Sequence, residues 1–326
     1  MFVYRHYSCQ TLAIAILFCC GRLEENHVRA LDIFSKSKNG LDRRSAIAGS
    51  AALSFLRPLP KALATPTSTT IINNDKEDLY APLKVVKDPE TYSALSYAPP
   101  TNTPETPLIL VLHGAGENDR DILEDLANPV GEHAGLIPSL IASKAAPSNL
   151  LDNFCVLAPY SFGKPSFYND PRKNLLQFVD WAIRNQNTEA LPLRFDPKRI
   201  ILFGFSDGAT VAVELLTTNR FAAGVICSYG FSGKALPPQA LDRLAKIPIW
   251  VFHSRDDVIF DVGNSDRLVQ QLEKVNESTN GSSSIVKYSR FESDPENLSP
   301  RVRGHSMGIT ASKSTELYDW MIGQVK

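Results

Sequence analysis

The most restrictive feature of the sequence is a series of five short apolar runs, separated by longer segments with helical periodicity. The runs are almost continuously apolar and do not alternate, as strands buried on both faces of a sheet require. Strand and helix in alternation predict one doubly wound α/β domain, with a mostly parallel sheet and helices on both faces. The predicted strands are 108–112, 154–158, 200–203, 223–228 and 249–252, and the predicted helices include 175–183, 209–216, 268–275 and 317–322.

Weaker patterns flank this series. Segments 83–86 and 92–97 are typical of two short strands that form a hairpin, and 285–291 is more polar, which favours a strand at the sheet edge. The composition of 276–284 predicts a solvated loop. A polar stretch over 65–76 predicts a flexible linker, so the α/β domain is expected over residues 77–326.

Charge separates the first 64 residues from the rest. The 326-residue chain has a net charge of −1, which gives no indication of a nucleic-acid partner. Residues 1–64 carry a balance of +5 and the remainder −6. No apolar run in the sequence reaches the roughly 18 residues that a stable membrane span needs. A basic leader before a mildly acidic body is typical of a cleaved targeting segment on an enzyme.

The leader contains two apolar runs, 11–20 and 45–56. The second run follows Arg43 and Arg44 and ends near Ala62-Leu63-Ala64, a small-x-small cleavage pattern, so it resembles a twin-arginine signal. Two signals in series would suit import into a complex plastid and then its thylakoid lumen. The alternative is one secretory or transit peptide with a chance arginine pair, which would allow a secreted protein.

Five cysteines are present, and three of them lie in the leader. Cys155 and Cys227 lie in predicted strands that would not be neighbours in the sheet, without a C-x-x-C or zinc-type spacing. We expect both to be small buried side chains without a disulfide or a catalytic role.

A candidate nucleophile lies between a predicted strand and a predicted helix. The residues are Gly204-Phe205-Ser206-Asp207-Gly208, a G-x-S-x-G sequence. Ser206 would stand on a sharp strand-to-helix turn, as in the nucleophile elbow of α/β-hydrolases, and the glycines would avoid clashes there. The alternative is a structural turn with a capping serine.

A glycine-rich turn follows the first apolar strand and is the candidate oxyanion site. It comprises Gly114, Ala115 and Gly116, directly after His113. The amide of Asp207 would be the first oxyanion donor, and an amide of Ala115 or Gly116 the second. A phosphate-binding turn is the alternative, but the spacing matches neither G-x-G-x-x-G nor a P-loop.

The base and the acid follow from chain order. In α/β-hydrolases the nucleophile precedes the acid, and the acid precedes the histidine. Only His253 and His305 follow Ser206, and His305 lies in a loop before the last helix, so we expect it to be the base. His253 ends a strand and more naturally organises the next loop. Asp256 and Asp257 compete as the acid, and the apolar residues after Asp257 favour it.

Taken together, these segments resemble the esterases grouped around polyhydroxyalkanoate depolymerases and feruloyl esterases. The resemblance covers most of 107–326 and depends on 112–117, 195–208, 221–230, 247–260, 304–305 and 316–321. It implies an α/β-hydrolase with little or no cap domain that acts on carboxylic esters, and it supports Asp257 as the acid. The sequence departs from the family pattern at Asp207, Ala209 and Ser254, and the charge of Asp207 bears on substrate preference.

The expected activity is hydrolysis of small-molecule esters through an acyl-enzyme, without a metal or cofactor. Phe162, Phe167, Tyr168 and Phe231 follow predicted strands and are candidates for binding the acyl group, although core packing explains each equally well. An acyl thioesterase or lysophospholipase would use the same triad. A non-catalytic binding module on the same fold is the alternative from another functional class.

Overall fold

Eight strands form one sheet in the order β1-β2-β4-β3-β5-β6-β7-β8. The protein is described by a computed structural model over residues 74–116, 119–131, 133–164, 166–230, 236–280, 285–296 and 299–326. The strands are β1 Lys84–Lys87, β2 Ser93–Tyr97, β3 Leu108–Leu112, β4 Cys155–Tyr160, β5 Ile200–Phe205, β6 Ala223–Cys227, β7 Ile249–Ser254 and β8 Val286–Phe291.

The parallel strands all end on the same side of the sheet, and the loops that carry the candidate site residues follow these ends. β1 and β2 pair antiparallel, and β2 joins the sheet antiparallel to β4. From β4 to β8, all neighbouring strands are parallel. The chain moves outward from β3 to β4 and then returns to the other side of β3 at β5. In parallel sheets, a crevice opens at such a reversal, outside the carboxyl ends of the strands.

Helices cover both faces of the sheet, as predicted. Successive residues of a strand enter opposite cores: Leu108 and Leu110 lie in one cluster and Ile109 and Val111 in the other. This is why the strands read as continuously apolar. The helices are α1 Asn74–Leu79, α2 Ile137–Ala142, α3 Ser148–Asn153, α4 Arg172–Asn185, α5 Asp207–Leu216, α6 Pro238–Leu244, α7 Gly263–Asn280, α8 Met307–Ser312 and α9 Thr315–Ile322.

Two segments that the sequence predicts to be non-helical contain helical residues. The segment 276–284 was predicted as a loop, but α7 continues to Asn280, because a polar composition is also compatible with the end of a helix; residues 281–284 lie outside the described residues. α1 begins at Asn74, inside the predicted linker 65–76. The rest of that linker and the leader 1–64 lie outside the described residues.

All described residues belong to one compact unit, and among them no connection forms a separate cap domain. The helices in this part of the chain are too short or too polar to cross a bilayer. Cys155 on β4 and Cys227 on β6 are buried free thiols, and β3 and β5 lie between their strands. Both are therefore buried and form no disulfide, as predicted, and the absence of a catalytic role stays a prediction.

Candidate active site

Ser206 occupies a strained turn between β5 and α5. Its φ of 56° and ψ of −121° place it in a region that non-glycine residues rarely adopt. A Cβ on Gly208 would lie 2.3 Å from the Leu112 carbonyl oxygen, and one on Gly204 would lie 2.6 Å from the Gly208 oxygen. Both glycines therefore allow the helix to approach β3 and β5 closely, as the sequence predicts.

His305 reaches Ser206 from the loop before α8. Its Nε2 lies 2.8 Å from Ser206 Oγ, although the two residues are 99 positions apart in the chain. Gly304, with a φ of 76°, shapes this loop, because a Cβ there would lie 2.2 Å from the Asp257 nitrogen. The loop is also joined to the acid loop by a hydrogen bond of 3.0 Å from the Val258 amide to the Arg303 carbonyl.

Asp257 lies on the other side of the His305 ring. His305 Nδ1 donates to Asp257 Oδ2 at 2.8 Å, since a carboxylate can only accept. The amides of Ile259 and Phe260 donate to Oδ1 at 2.8 and 2.9 Å. Burial by itself would raise the pKa of Asp257, but hydrogen bonds from His253 and His305 outweigh it and lower the pKa to about 2. The carboxylate is therefore ionised at neutral pH.

Asp256 bonds to groups other than His305. Its Oδ1 accepts a hydrogen bond of 2.5 Å from the Ser254 hydroxyl and one of 3.2 Å from the Asp294 amide. Arg255 pairs with Glu292 and leaves Asp256 to these two contacts. Of the two aspartates considered from the sequence, the structure therefore brings Asp257 to His305.

His253 also contacts Asp257. It extends the row Ser206–His305–Asp257 by one side chain, and the sequence did not predict this contact. Its Nε2 donates to the Phe260 carbonyl at 3.0 Å and lies 3.2 Å from Asp257 Oδ2. Its Nδ1 accepts from the Ser265 hydroxyl at 2.7 Å. The predicted role in organising the loop is confirmed. The contact with the acid could only be suspected from the spacing of four residues to Asp257.

The predicted oxyanion residues lie beside the nucleophile. A Cβ on Gly114 would approach Ser206 Cβ to 3.0 Å, so the turn after β3 packs directly against the elbow. Ala115 and Gly116 follow and are half-buried. Asp207 begins α5 and is also half-buried. Burial raises the pKa of Asp207, and a hydrogen bond with Ser166 and the charge of His305 offset part of this effect.

The aromatic candidates for substrate binding differ in their exposure to solvent. Phe167 is fully buried in the core and packs against His113, with ring centroids 4.6 Å apart, as the core-packing alternative describes, and its role in binding substrate stays a prediction. Tyr168 and Phe162 are exposed, and their role stays a prediction. Phe231 lies outside the described residues.

The arrangement can activate a hydroxyl. A serine, an imidazole and an ionised carboxylate lie in a row, at the carboxyl ends of β5 and β7 and in the loop after β8. Such a row transfers the serine proton to the ring and stabilises the resulting charge. Among the described residues, no three His, Cys, Asp or Glu side chains lie close enough to hold a metal ion.

The chain is similar to one protein family and to several solved structures. The profile of the Phospholipase/Carboxylesterase family matches residues 99–300, which is more than half of the chain. A thermostable esterase is similar in structure, with 25% identity and a TM-score of 0.55; the match covers 75% of this chain and 63% of the esterase. The carboxylesterase of Bacillus cereus matches with 21% identity and a TM-score of 0.42 over 75% of this chain and 99% of its own.

No curated protein matches the sequence significantly. The family profile spans the glycine-rich turn, the G-x-S-x-G turn and the acid loop, and ends at residue 300, shortly before His305. The eight-stranded, mostly parallel sheet with helices on both faces is the α/β-hydrolase fold. The chain therefore belongs to the Phospholipase/Carboxylesterase family of α/β-hydrolases.

Proposed function

We propose that this protein is a serine hydrolase that cleaves carboxylic esters through a Ser206–His305–Asp257 triad and an acyl-enzyme intermediate. The observation that carries the proposal is the pair of 2.8 Å contacts on either side of His305, one to Ser206 Oγ and one to Asp257 Oδ2. Nucleophile, base and acid at hydrogen-bond distance are what acyl transfer by a serine requires.

Acylation begins when Ser206 Oγ attacks the ester carbonyl carbon and His305 Nε2 takes the serine proton. The carbonyl oxygen becomes an oxyanion, which the amides of Asp207 and of the 114–116 turn stabilise. The imidazolium then gives its proton to the leaving alcohol, and the ester bond breaks. Water attacks the acyl-enzyme by the same route, with His305 again as the base, and releases the acid and free Ser206.

Asp257 acts through His305. Its ionised oxygen fixes the Nδ1-protonated tautomer and leaves Nε2 free to accept the serine proton. The low pKa of Asp257, about 2, supports a carboxylate that stays charged throughout the cycle. It therefore stabilises the imidazolium and does not exchange protons itself.

Small-molecule acyl esters are the proposed substrates, on the strength of the family and the site together. Exposed Tyr168 and Phe162 follow β4 on the same sheet edge as Ser206 and are the described aromatic candidates for contact with the acyl group. Asp207 adds an acidic side chain beside the nucleophile. Esters without a negative charge near the carbonyl are therefore expected to react faster than anionic ones.

Activity on p-nitrophenyl esters of increasing chain length tests the proposal. Wild type should hydrolyse the short esters, and Ser206→Ala and His305→Ala should lose nearly all activity. Ser278→Ala, an exposed serine on α7, is the matched control and should retain it. Turnover confined to long acyl chains or to thioesters would instead identify a lysophospholipase or a thioesterase.

Labelling with a fluorophosphonate probe separates an enzyme from a binding module on the same fold. The probe forms a covalent bond with an activated serine, so wild type and Ser278→Ala should label and Ser206→Ala should not. A folded wild-type protein that neither labels nor hydrolyses any ester of the panel would contradict the proposed function.

A further inference from the structure

A buried histidine–aspartate pair lies beneath the oxyanion turn and takes no part in the triad. His133 Nδ1 donates to Asp125 Oδ1 at 2.9 Å, and both side chains are about 2–3% exposed. Burial by itself raises the pKa of Asp125, but the hydrogen bond and charge of His133 outweigh it and lower the pKa. Buried polar groups are costly unless they are hydrogen-bonded, so the other ring nitrogen of His133 is also expected to have a partner.

That partner is the carbonyl of Gly114. His133 Nε2 lies 3.4 Å from the Gly114 oxygen, and both ring nitrogens therefore face acceptors. A carboxylate and a carbonyl oxygen can only accept, so each ring nitrogen is the donor to the group that it faces. The pair thus presents an N–H group to a backbone oxygen of the turn that contacts the nucleophile.

A second imidazole reaches the same oxygen. His113 Nδ1 donates to the Gly114 carbonyl at 2.7 Å, and His113 Nε2 accepts from the Ser161 amide at 3.3 Å. Burial, together with the charge of His133, lowers the pKa of His113 to about 3, so this ring is neutral. The rings of His113 and His133 meet edge to face, with centroids 4.9 Å apart. Two donors therefore fix the direction of one carbonyl.

The direction of this carbonyl determines the direction of the next amide. Gly114 C=O and Ala115 N–H belong to one trans peptide, in which the two bonds point in opposite directions. Because the oxygen is turned into the buried histidines, the Ala115 N–H points away from them. Gly114 itself packs against Ser206, so this peptide lies at the nucleophile.

We propose that the Asp125–His133 pair is a positioning device for the oxyanion hole, which holds and polarises the Gly114–Ala115 peptide so that the Ala115 N–H is the second oxyanion donor. The inference deepens the proposed function and rests on it. Of the two candidates from the sequence, Ala115 and Gly116, it selects Ala115. Asp125 and His133 do not touch the substrate; they act through the peptide.

Polarisation and orientation both strengthen the amide as a donor. A hydrogen bond at the carbonyl end of a peptide draws electron density from the nitrogen and makes its N–H a better donor. Loss of one oxyanion donor costs about 100- to 1,000-fold in kcat. Weakening of that donor, with the amide still present, is expected to cost about 10- to 100-fold.

The test uses Asp125→Asn, His133→Gln and His133→Phe in the full chain. Each should lower kcat for a p-nitrophenyl ester by about 10-fold or more and leave KM within about twofold, because substrate binding does not use the oxyanion. A trifluoromethyl ketone, which adds Ser206 Oγ to its carbonyl and places an oxyanion in the hole, should lose affinity by the same factor as kcat/KM.

Tyr318→Phe is the matched control. Its hydroxyl is buried and donates to the Ser312 carbonyl at 2.7 Å, so the change removes one buried hydrogen bond on α9. It should lower thermal stability as the test variants do, and leave kcat and ketone affinity at the wild-type values. Should His133→Phe fail to fold, Asp125→Asn, which preserves shape, decides the result.

Three results would overturn the inference. Folded Asp125→Asn and His133→Gln with wild-type kcat would show that the pair has only a structural role. A fall in kcat without the parallel loss of ketone affinity would place the effect outside the oxyanion hole. A wild type without ester hydrolysis would remove the proposed function and this inference together, whereas the first two results would leave the proposed function intact.

Discussion

Two backbone amides and two imidazoles surround the carboxylate of Asp257, which is why it is ionised although its side chain is fully buried. Its neighbour Asp256 receives bonds from Ser254 and Asp294 and links the acid loop to the segment before His305. Adjacent residues of the same type thus have different contacts, and these contacts predict different effects of the same substitution.

Asp257→Asn is expected to lower kcat by about 1,000- to 10,000-fold, because an amide can hold the wrong tautomer of His305. Asp256→Asn preserves an acceptor for the Ser254 hydroxyl and should retain kcat within a few-fold. Both are measured with a p-nitrophenyl ester under saturating conditions. A larger loss for Asp256→Asn than for Asp257→Asn would reverse the assignment of the acid.

Stability in acid follows from the same carboxylate. The pKa of Asp257 is lowered in the folded state from 3.8 to about 2, so its contribution to the free energy of unfolding is present above pH 4 and disappears as the pH falls through about 2. Chemical unfolding of wild type at pH 5, 4, 3 and 2 should show this loss. In Asp257→Asn that part of the pH dependence should be absent, and an unchanged pH dependence would contradict the low pKa.

At this scale the sequence was informative where chemistry constrains chain order. Ser206, Asp257 and His305 could be selected because the family order is fixed and few histidines follow the serine. The contacts of His253 with Asp257 and of His133 with Gly114 carry no motif, since each depends on how a single connection folds back after its strand. Phe167 could not be assigned from the sequence, because residue type alone does not distinguish a core aromatic from a pocket aromatic.

Among the elements, the loop that carries His305 is the most constrained by backbone shape. Gly304 has a φ of 76°, and a Cβ there would lie 2.2 Å from the Asp257 nitrogen and 2.3 Å from the Asp256 carbonyl carbon. Gly163, in the loop after β4, has a similar φ of 72°, but nothing lies within 4 Å of its Cβ position. Substitution of Gly163 by alanine would therefore introduce only backbone strain, whereas substitution of Gly304 would add a steric clash to the same strain.

Gly304→Ala is expected to destabilise the protein by more than about 2 kcal/mol and to displace His305 from Ser206, since backbone atoms cannot move aside cheaply. Gly163→Ala carries only the strain of a positive φ, about 1–2 kcal/mol. Urea unfolding and kcat measure the two effects. Equal losses of stability and an intact kcat in Gly304→Ala would contradict the clash.

Elements were predicted well where burial determines the pattern. Strands buried on both faces require continuous apolar residues. The bounds of β3 to β7 were therefore predicted to within one or two residues. α2, α3, α6 and α8 have six or seven residues, too few turns for a period to be read. The end of α7 was predicted as a loop because a polar segment without apolar residues shows no helical period, so its composition does not distinguish helix from loop.

For the whole molecule, we propose that residues 1–64 are a two-part leader that directs the enzyme to a plastid and then to the thylakoid lumen. Cleavage after Ala64 would give a mature protein that begins at Thr65. After expression of the full chain in cells with complex plastids, the N-terminus of the protein from isolated thylakoids should start there. The measurement is N-terminal sequencing.

The arginine pair provides the matched variants for this prediction. Replacement of both Arg43 and Arg44 by lysine preserves charge but should prevent the second transport step and leave a longer chain outside the lumen. The same change at Arg22 and Arg29 should leave processing unaffected. Export to the lumen of the variant changed at positions 43 and 44, or recovery of wild type from the culture medium, would favour the single secretory peptide.

The two cysteines in the described part of the chain determine how this part responds to the redox conditions of a compartment. Cys155 and Cys227 are sealed inside the domain, and two strands separate β4 from β6, so neither can bond to the other in the native state. A change in the redox potential of the surroundings therefore neither forms nor breaks a disulfide between these two cysteines. This part of the enzyme should fold and react alike with glutathione present or with an oxidant in its place.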